Sequence, residues 1–330
     1  MHANPIRRRD LLQRCAAALL ACDAGLCASA QPAVEQLHIL CTGPAGSVPD
    51  IVARRVADQL AGHAQRTVVD NRPGAAGQIA VSALKSSRPD GGTLLLAQGA
   101  IATVYPFLYA KLPYDAALDL KPVSMAGEMT LALAVGPAVP EAVGDVAQLV
   151  AWMRRNPGRA NVGSPGTGTL PHLLEAMLFR AVAVDWQHVV YAGGPPALVD
   201  LMGGQIAALV LPEGLLRQHR AAGKLRVLAT SGAARSAYLP DVPSLAEQGF
   251  RDLVVREWFA FFMPGSTADA VVAQASRALG AALAQPALAA SFAESGMVAV
   301  SSTPAALAAR IAAEQRYWDP VIRASSIRVE

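Results

Sequence analysis

From residue 36 onward the chain repeats one pattern: a short apolar run, a loop carrying Gly or Pro, and then a segment with apolar residues at helical spacing. The first unit is QLHILCTG (36–43), the loop PAGSVPD (44–50), and a segment that sets Val52, Val56 and Leu60 on one helix face. The later runs predicted as strands are TVVD (67–70), TLLLAQ (93–98), LALAV (131–135), ANVG (160–163), HVVY (188–191), IAALVL (206–211) and LRVLATS (225–231). Strands that alternate with helical segments predict an α/β fold built on mostly parallel sheets flanked by helices. The alanine-rich stretch 270–313 has helix-forming composition, broken at Pro286 and Gly296.

Three of the strand-to-helix loops share a chemistry. Ser47-Val48-Pro49-Asp50 has the form of a helix start, with a capping serine, proline in the first turn and a carboxylate three residues after the cap. Thr169-Leu170-Pro171-His172, after the loop SPGTGT (164–169), repeats the hydroxyl and the proline. A third loop, AGGPPA (192–197), leads into ALVDLMGG (197–204). In open α/β sheets, ligands bind at the carboxyl ends of strands, where such loops lie. Unpaired N–H groups and the positive end of the helix dipole favour an anion there, most simply a carboxylate or a phosphate. Glycine lets the backbone approach a ligand, and Ser or Thr adds a directional hydrogen bond. Ser47, Asp50 and Thr169 are equally explained as helix caps, and capping is compatible with ligand contact.

Catalytic and metal constellations are missing from the pattern. There is no H-E-x-x-H, C-x-x-C or G-x-x-x-x-G-K-[ST], and His38, His63, His172, His188 and His219 are scattered without metal-ligand spacing. Ser82-Ala83-Leu84-Lys85 fits the S-x-x-K of serine acyl-enzymes in two residues, without its S-D-N and K-T-G companions. Gly163-Ser164-Pro165-Gly166 lacks the spacing of a nucleophile elbow. Neither a cofactor nor a metal is expected.

Charge and cysteine are informative once located. The chain has 330 residues and a formal net charge of +3, but Arg7, Arg8, Arg9 and Arg14 lie in the first fourteen. Residues 1–30 have a basic start, a largely apolar segment and Ala28-Ser29-Ala30, the form of a secretory signal, with Asp23 an atypical charge within it. Arg8-Arg9-Asp10-Leu11-Leu12 resembles a twin-arginine signal, with general secretion the competing route; Leu19-Leu20-Ala21-Cys22 only weakly resembles a lipoprotein site. Cleavage after residue 30 leaves 24 basic and 23 acidic residues, so no nucleic-acid footprint is expected. Cys15, Cys22 and Cys27 leave with the leader, and Cys41 remains, in an apolar run that predicts a small core residue. No later apolar stretch reaches the ~20 residues of a membrane span, so a mature protein outside the cytoplasm is expected.

The loops also form a series. PAGSVPDIVAR (44–54), DNRPGAAG (70–77), PDGGTLL (89–95), LYAKLPYDAALDLKPV (108–123), NPGRANVGSPGTGTLPHL (156–173), YAGGPPALVDLMGGQI (191–206), GKLRVLATS (223–231), LPDVPSLAEQGF (239–250) and Trp258 follow in order over almost all of 36–320. In these stretches the chain resembles the Bug-type substrate-binding proteins of tripartite tricarboxylate transporters. The resemblance implies a two-domain periplasmic binding protein fold of type II-like form, closing on a small carboxylate in the interdomain cleft. It implies domain 1 at 36–129 plus 256–330 and domain 2 at 130–255, with crossings near Met129–Leu133 and Glu257–Phe261. On the implied ligand loops lie Ala45, Gly46, Ser47 and Asp50, then Ser164, Thr167, Gly168 and Thr169, and finally Ala192, Gly193 and Asp200. The implied partner is a two-subunit membrane permease. A receptor that presents its ligand to a signalling protein, and an exported hydrolase using Ser82 and Lys85, are the alternative readings. The chain departs from the usual family pattern at Ser47, Gly43 and Gly92. Since 44–50, 164–173 and 191–200 contain no Lys or Arg, carboxylate recognition is expected to rest on N–H and hydroxyl groups, with Arg72 or Arg256 as the cationic alternative.

Overall fold

The computed structural model describes residues 34–325; the expected leader, its cleavage site and its three cysteines lie outside the described residues. The strands are β1 (Val34–Cys41), β2 (Ala64–Asn71), β3 (Thr93–Gln98), β4 (Leu120–Val135), β5 (Asn161–Ser164), β6 (Gln187–Val190), β7 (Ala208–Pro212), β8 (Arg226–Thr230), β9 (Arg256–Pro264) and β10 (Met297–Ala299). Their lateral order is β2-β1-β3-β9-β4-β7-β5-β6, with β8 and β10 also paired to β4. Pairing is parallel among β1, β2 and β3, and among β5, β6 and β7. It is antiparallel wherever β4 or β9 takes part.

Sixteen-residue β4 joins two halves of the sheet. From Leu120 to Thr130 it pairs with β9, running from Leu120↔Pro264 to Thr130↔Arg256. From Leu131 to Val135 it pairs with β7, and over Ala132–Val135 with β8. The first part of β4, before the expected LALAV (131–135), and the whole of β9 were not expected from local pattern. Lys121, Pro122 and Gly127 break the apolar run in the first part of β4, and register shifts follow at Pro122/Ser124 and Met125/Gly127. The β9 run WFAFFM is apolar throughout because both of its faces are covered, so it carries no period to read.

The parallel strands show why the sheet is buried on both sides. Leu37, Ile39 and Cys41 of β1 pack with Leu94 and Leu96 on one face, while Leu40 packs with Leu95 and Ala97 on the other. Each fully buried Leu or Ile of this kind contributes roughly 1.5–3 kcal/mol. Cys41 is a buried free thiol, pushed up to about 11 by burial.

Helices cover both faces: α1 (Val48–Ala57), α2 (Gln78–Lys85), α3 (Val146–Arg155), α4 (Leu170–Ala181), α5 (Gly194–Met202), α6 (Glu213–Ala221), α7 (Asp269–Leu283), α8 (Pro286–Glu294) and α9 (Pro304–Ser325). In α1 the residues spaced by four, Val48, Val52 and Val56, are buried together with Ala53 and Asp50, and Arg54 and Arg55 occupy its last turn. Among the described residues no helix is long and apolar enough to cross a membrane.

Candidate functional site

The loop after β1 feeds α1, the loop after β5 feeds α4, and the loop after β6 feeds α5. All three border one cavity of about 640 Å³ between the two halves of the sheet. Of the residues expected at a ligand, Ser47, Thr167, Thr169, Ala192 and Gly193 line it; Ala45, Gly46, Asp50, Ser164, Gly168 and Asp200 stand behind that lining.

The helix starts of α1 and α4 are built alike, and neither hydroxyl caps its helix. Ser47 and Thr169 occupy the N-cap positions with extended backbone, but neither side chain bonds a helix N–H. Instead Ser47 Oγ donates to Pro44 O at 2.6 Å, and Thr169 Oγ1 donates to Gly166 O at 2.7 Å. The helix caps expected of Ser47 and Thr169 therefore do not form. The reason is the left-handed glycine before each hydroxyl, Gly46 at φ +79° and Gly168 at φ +78°, which turns the loop so that the carbonyl three residues back is nearer. The residue after each proline then binds that glycine. Asp50 Oδ2 accepts from Gly46 N at 3.0 Å, and His172 Nδ1 accepts from Gly168 N at 3.1 Å. The first i→i−4 bonds of the two helices come from Ile51 and Leu173, leaving the N–H groups of Val48, Asp50, Leu170 and His172 ahead of the ladder.

Behind these starts the polar groups are fixed. Asp50 also accepts from Arg54 Nε and Asn71 Nδ2, both at 2.9 Å. Burial alone would raise its carboxyl, but the Arg54, Gly46 and Asn71 bonds outweigh it and hold the group below the ordinary range. In the second half, His172 stacks on His188 with centroids 3.9 Å apart, and His188 Nε2 lies 2.7 Å from Ser164 Oγ. Burial pushes both imidazoles down to about 4, so both are neutral at pH 7, and the His172 bond to Gly168 places its proton on Nε2. Asp200 Oδ2 accepts from the Tyr191 hydroxyl at 2.8 Å, and Tyr191 lines the cavity. Burial, then Asp200, push that phenol up to about 12.

The remaining wall was not singled out from sequence. The Pro73–Gln78 segment lines the first half and carries Ala75 and Ala76 at positive φ, +45° and +53°. Gln98 Nε2 and the Tyr105 hydroxyl hold it by donating to Ala76 O at 2.8 and 3.1 Å. Its signal was DNRPGAAG itself, since the flanking glycines mark an unusual turn. Tyr109 crosses the cleft, donating from its hydroxyl to Thr167 O at 3.0 Å. Charged side chains enter the lining at Lys111 and Glu257, not at Arg72 or Arg256, which pair with Asp70 and Glu128. Ser82 and Lys85 do not meet: Ser82 Oγ donates to Gln78 O at 3.0 Å, and Lys85 pairs with Asp119 at 2.8 Å. Among the described residues no group of His, Cys, Asp and Glu is arranged to hold a metal ion.

Two sheet halves joined by crossing strands, with open helix starts from both halves around one cleft, define a ligand-binding protein of the periplasmic receptor class. Residues 52–327 match the Tripartite tricarboxylate transporter family receptor (TctC). The chain is 32% identical over 289 residues to protein BugT of Bordetella pertussis, covering 87% of this chain and 88% of that one. It belongs to this family of periplasmic transport receptors, which bind solutes and are not enzymes. Solved structures share the fold. One of a periplasmic transporter is 30% identical with a TM-score of 0.83, over 91% of this chain and all of that one. R. palustris Rpa4515 with adipate is 26% identical with a TM-score of 0.84, over 90% of this chain and 99% of the other.

Proposed function

We propose that this protein is an extracytoplasmic receptor that closes on a small carboxylate in the cleft and delivers it to a two-subunit membrane permease. One observation carries the reading: two helix starts face the same cavity with their own hydroxyls turned away from their N–H groups. Donors left in this way, with the dipole behind them, suit an anion and perform no chemistry on it. The loops at 44–50, 164–169 and 191–200 supply the carboxylate site, with Ser47, Thr167, Thr169, Ala192 and Gly193 against the ligand. Ala45, Gly46, Asp50, Ser164, Gly168 and Asp200 shape the loops. The adipate bound to the R. palustris relative supports the ligand class.

Closure follows from the strand pairing in this reading. Residues 36–129 with 256–330 form one lobe and 130–255 the other, hinged where β4 passes from β9 to β7. The leader at 1–30 takes the chain out of the cytoplasm by the twin-arginine or the general route. Calorimetric titration of the mature protein with mono-, di- and tricarboxylates is the test. A ligand present at 100 Kd stabilises the fold by roughly 2.7 kcal/mol, visible as a melting shift. If no carboxylate binds and phosphorylated compounds do, the reading is wrong.

A further inference from the structure

The cleft has a second chemical feature, far from the helix starts in sequence. Glu257 of β9 sits opposite Met129 of β4, at the place where the two sheet halves join, and its side chain lines the cavity beside Phe259. The residue is 5% exposed, and its Oε1 has no hydrogen-bond partner. No ion pair among the described residues includes it. The nearby acid Glu314 is engaged by Trp258 Nε1 and Arg310, and Arg256, the neighbour in sequence, is bound to Glu128. A buried carboxyl with nothing to bond is costly to keep, and burial followed by the like charge of Glu314 pushes it up to about 8. The cost disappears if the missing partner arrives with the ligand.

We propose that Glu257 is the subsite for an ammonium group, so that this receptor takes an amino-carboxylate whose carboxylate meets the helix starts and whose cationic nitrogen meets Glu257. The cavity then offers donors from the α1 and α4 starts and from Lys111, and at Glu257 an acceptor without a donor, the complement of a zwitterion. A plain aliphatic carboxylate leaves the Glu257 carboxyl unpaired. A dicarboxylate brings a second anion to an acid that must stay protonated to receive it. An ammonium supplies several N–H donors and opposite charge at once. Because the free carboxyl is largely protonated at neutral pH, capturing an ammonium ionises it, and a proton leaves to solvent.

This inference rests on the carboxylate reading of the cleft, and its test separates the two. The mature protein and Glu257→Gln are titrated by calorimetry with L-amino acids, with ω-amino acids such as 5-aminopentanoate, with their des-amino counterparts such as pentanoate, and with glutarate. We expect the wild type to prefer at least one amino-carboxylate over its des-amino partner by about tenfold or more. Glu257→Gln should bring that preference close to parity while leaving the des-amino carboxylate within about twofold. Titration of the wild type in buffers of different ionisation enthalpy should show a proton released on binding at pH 7, a result that needs no variant. Tighter binding of glutarate than of every amino-carboxylate, with a proton taken up or none exchanged, would overturn the ammonium subsite and leave the carboxylate site intact. Absence of binding by all of these compounds, with another carboxylate of the wider screen binding, would overturn the ammonium subsite alone, and absence of binding by every carboxylate, with phosphorylated compounds binding, would sink the carboxylate reading and the inference with it.

Discussion

Tyr109 provides a direct handle on the closure proposed above. Its hydroxyl reaches from the segment after β3 to the Thr167 carbonyl after β5, so the 3.0 Å bond exists only when the two sides of the cleft approach. Tyr109→Phe removes that bond and keeps the ring, which also packs edge-on against Tyr105 at 5.0 Å. A hydrogen bond of this kind contributes about 0.5–1.5 kcal/mol net, so the ratio of closed to open forms should fall by roughly two- to thirteenfold. If the free protein is mostly open, the loss appears as a rise in Kd of that size. If it is mostly closed, the loss appears instead as a larger radius of gyration without ligand. Calorimetry and small-angle scattering on the same preparation therefore account for the whole effect. Unchanged affinity together with an unchanged scattering profile would refute the idea that this bond helps hold the lips together.

Other expectations follow from the paired helix starts and from buried titratable groups. Gly46→Ala and Gly168→Ala both force a left-handed alanine, costing about 1–2 kcal/mol in melting measurements. A Cβ at Gly46 meets open space, whereas one at Gly168 comes within 2.6 Å of Leu108 Cδ2 and 3.1 Å of the Tyr109 hydroxyl, so Gly168→Ala alone should also weaken ligand binding. His172 is held down to about 4 in the fold against an ordinary 6.5, so the unfolded chain takes up its proton first as pH falls. Stability should therefore be full above pH 6.5 and drop between pH 6.5 and 4, by up to about 3 kcal/mol for this residue. His172→Gln should flatten that slope in denaturant titrations; an unchanged slope would place the effect elsewhere. Glu175 of α4 is fully buried, with neither carboxyl oxygen in good hydrogen-bond geometry, and burial drives it well above its ordinary value against a weaker opposing pull from the Val210 backbone. Because the unfolded side chain ionises above pH 4.5 and the folded one stays neutral, Glu175→Met should stabilise the protein at pH 8 by about 1–3 kcal/mol and by less at pH 5.

The parts of this architecture that were legible in sequence are those set by neighbours along the chain. Thr93–Gln98 is a strand over the residues its apolar run marked, since its ends coincide with turn residues at Gly92 and Gly99. The loops at 44–50, 164–169 and 191–200 were visible because a strand, a glycine and a proline-bearing helix start each leave a local signature. What escaped depends on distant partners. The Leu120↔Pro264 register is set across more than a hundred residues, and no local period encodes it. The hydroxyls of Ser47 and Thr169 had the right spacing to cap, yet their choice of the carbonyl three residues back was decided by glycine dihedrals. Glu257 has no local signature, and only the three-dimensional cleft shows that its Oε1 is without a partner.

The place of β9 has a consequence for how the chain acquires its structure. This strand lies between β3 and β4, though it is synthesised after all the strands of the other half. Until residue 264 is available, β3 and the first part of β4 have no strand between them, and their unpaired edges carry Leu94, Leu95, Leu96, Val123 and Met125. Such edges invite pairing with other chains and slow the search for the native order. A chain emerging from its amino end therefore passes through a long vulnerable interval, in which a holding chaperone or a delay in folding is worth more than local helix or strand strength. Circular permutants that begin at β9 would shorten the interval, and their refolding yield at raised protein concentration would measure how much of the burden this one late strand imposes.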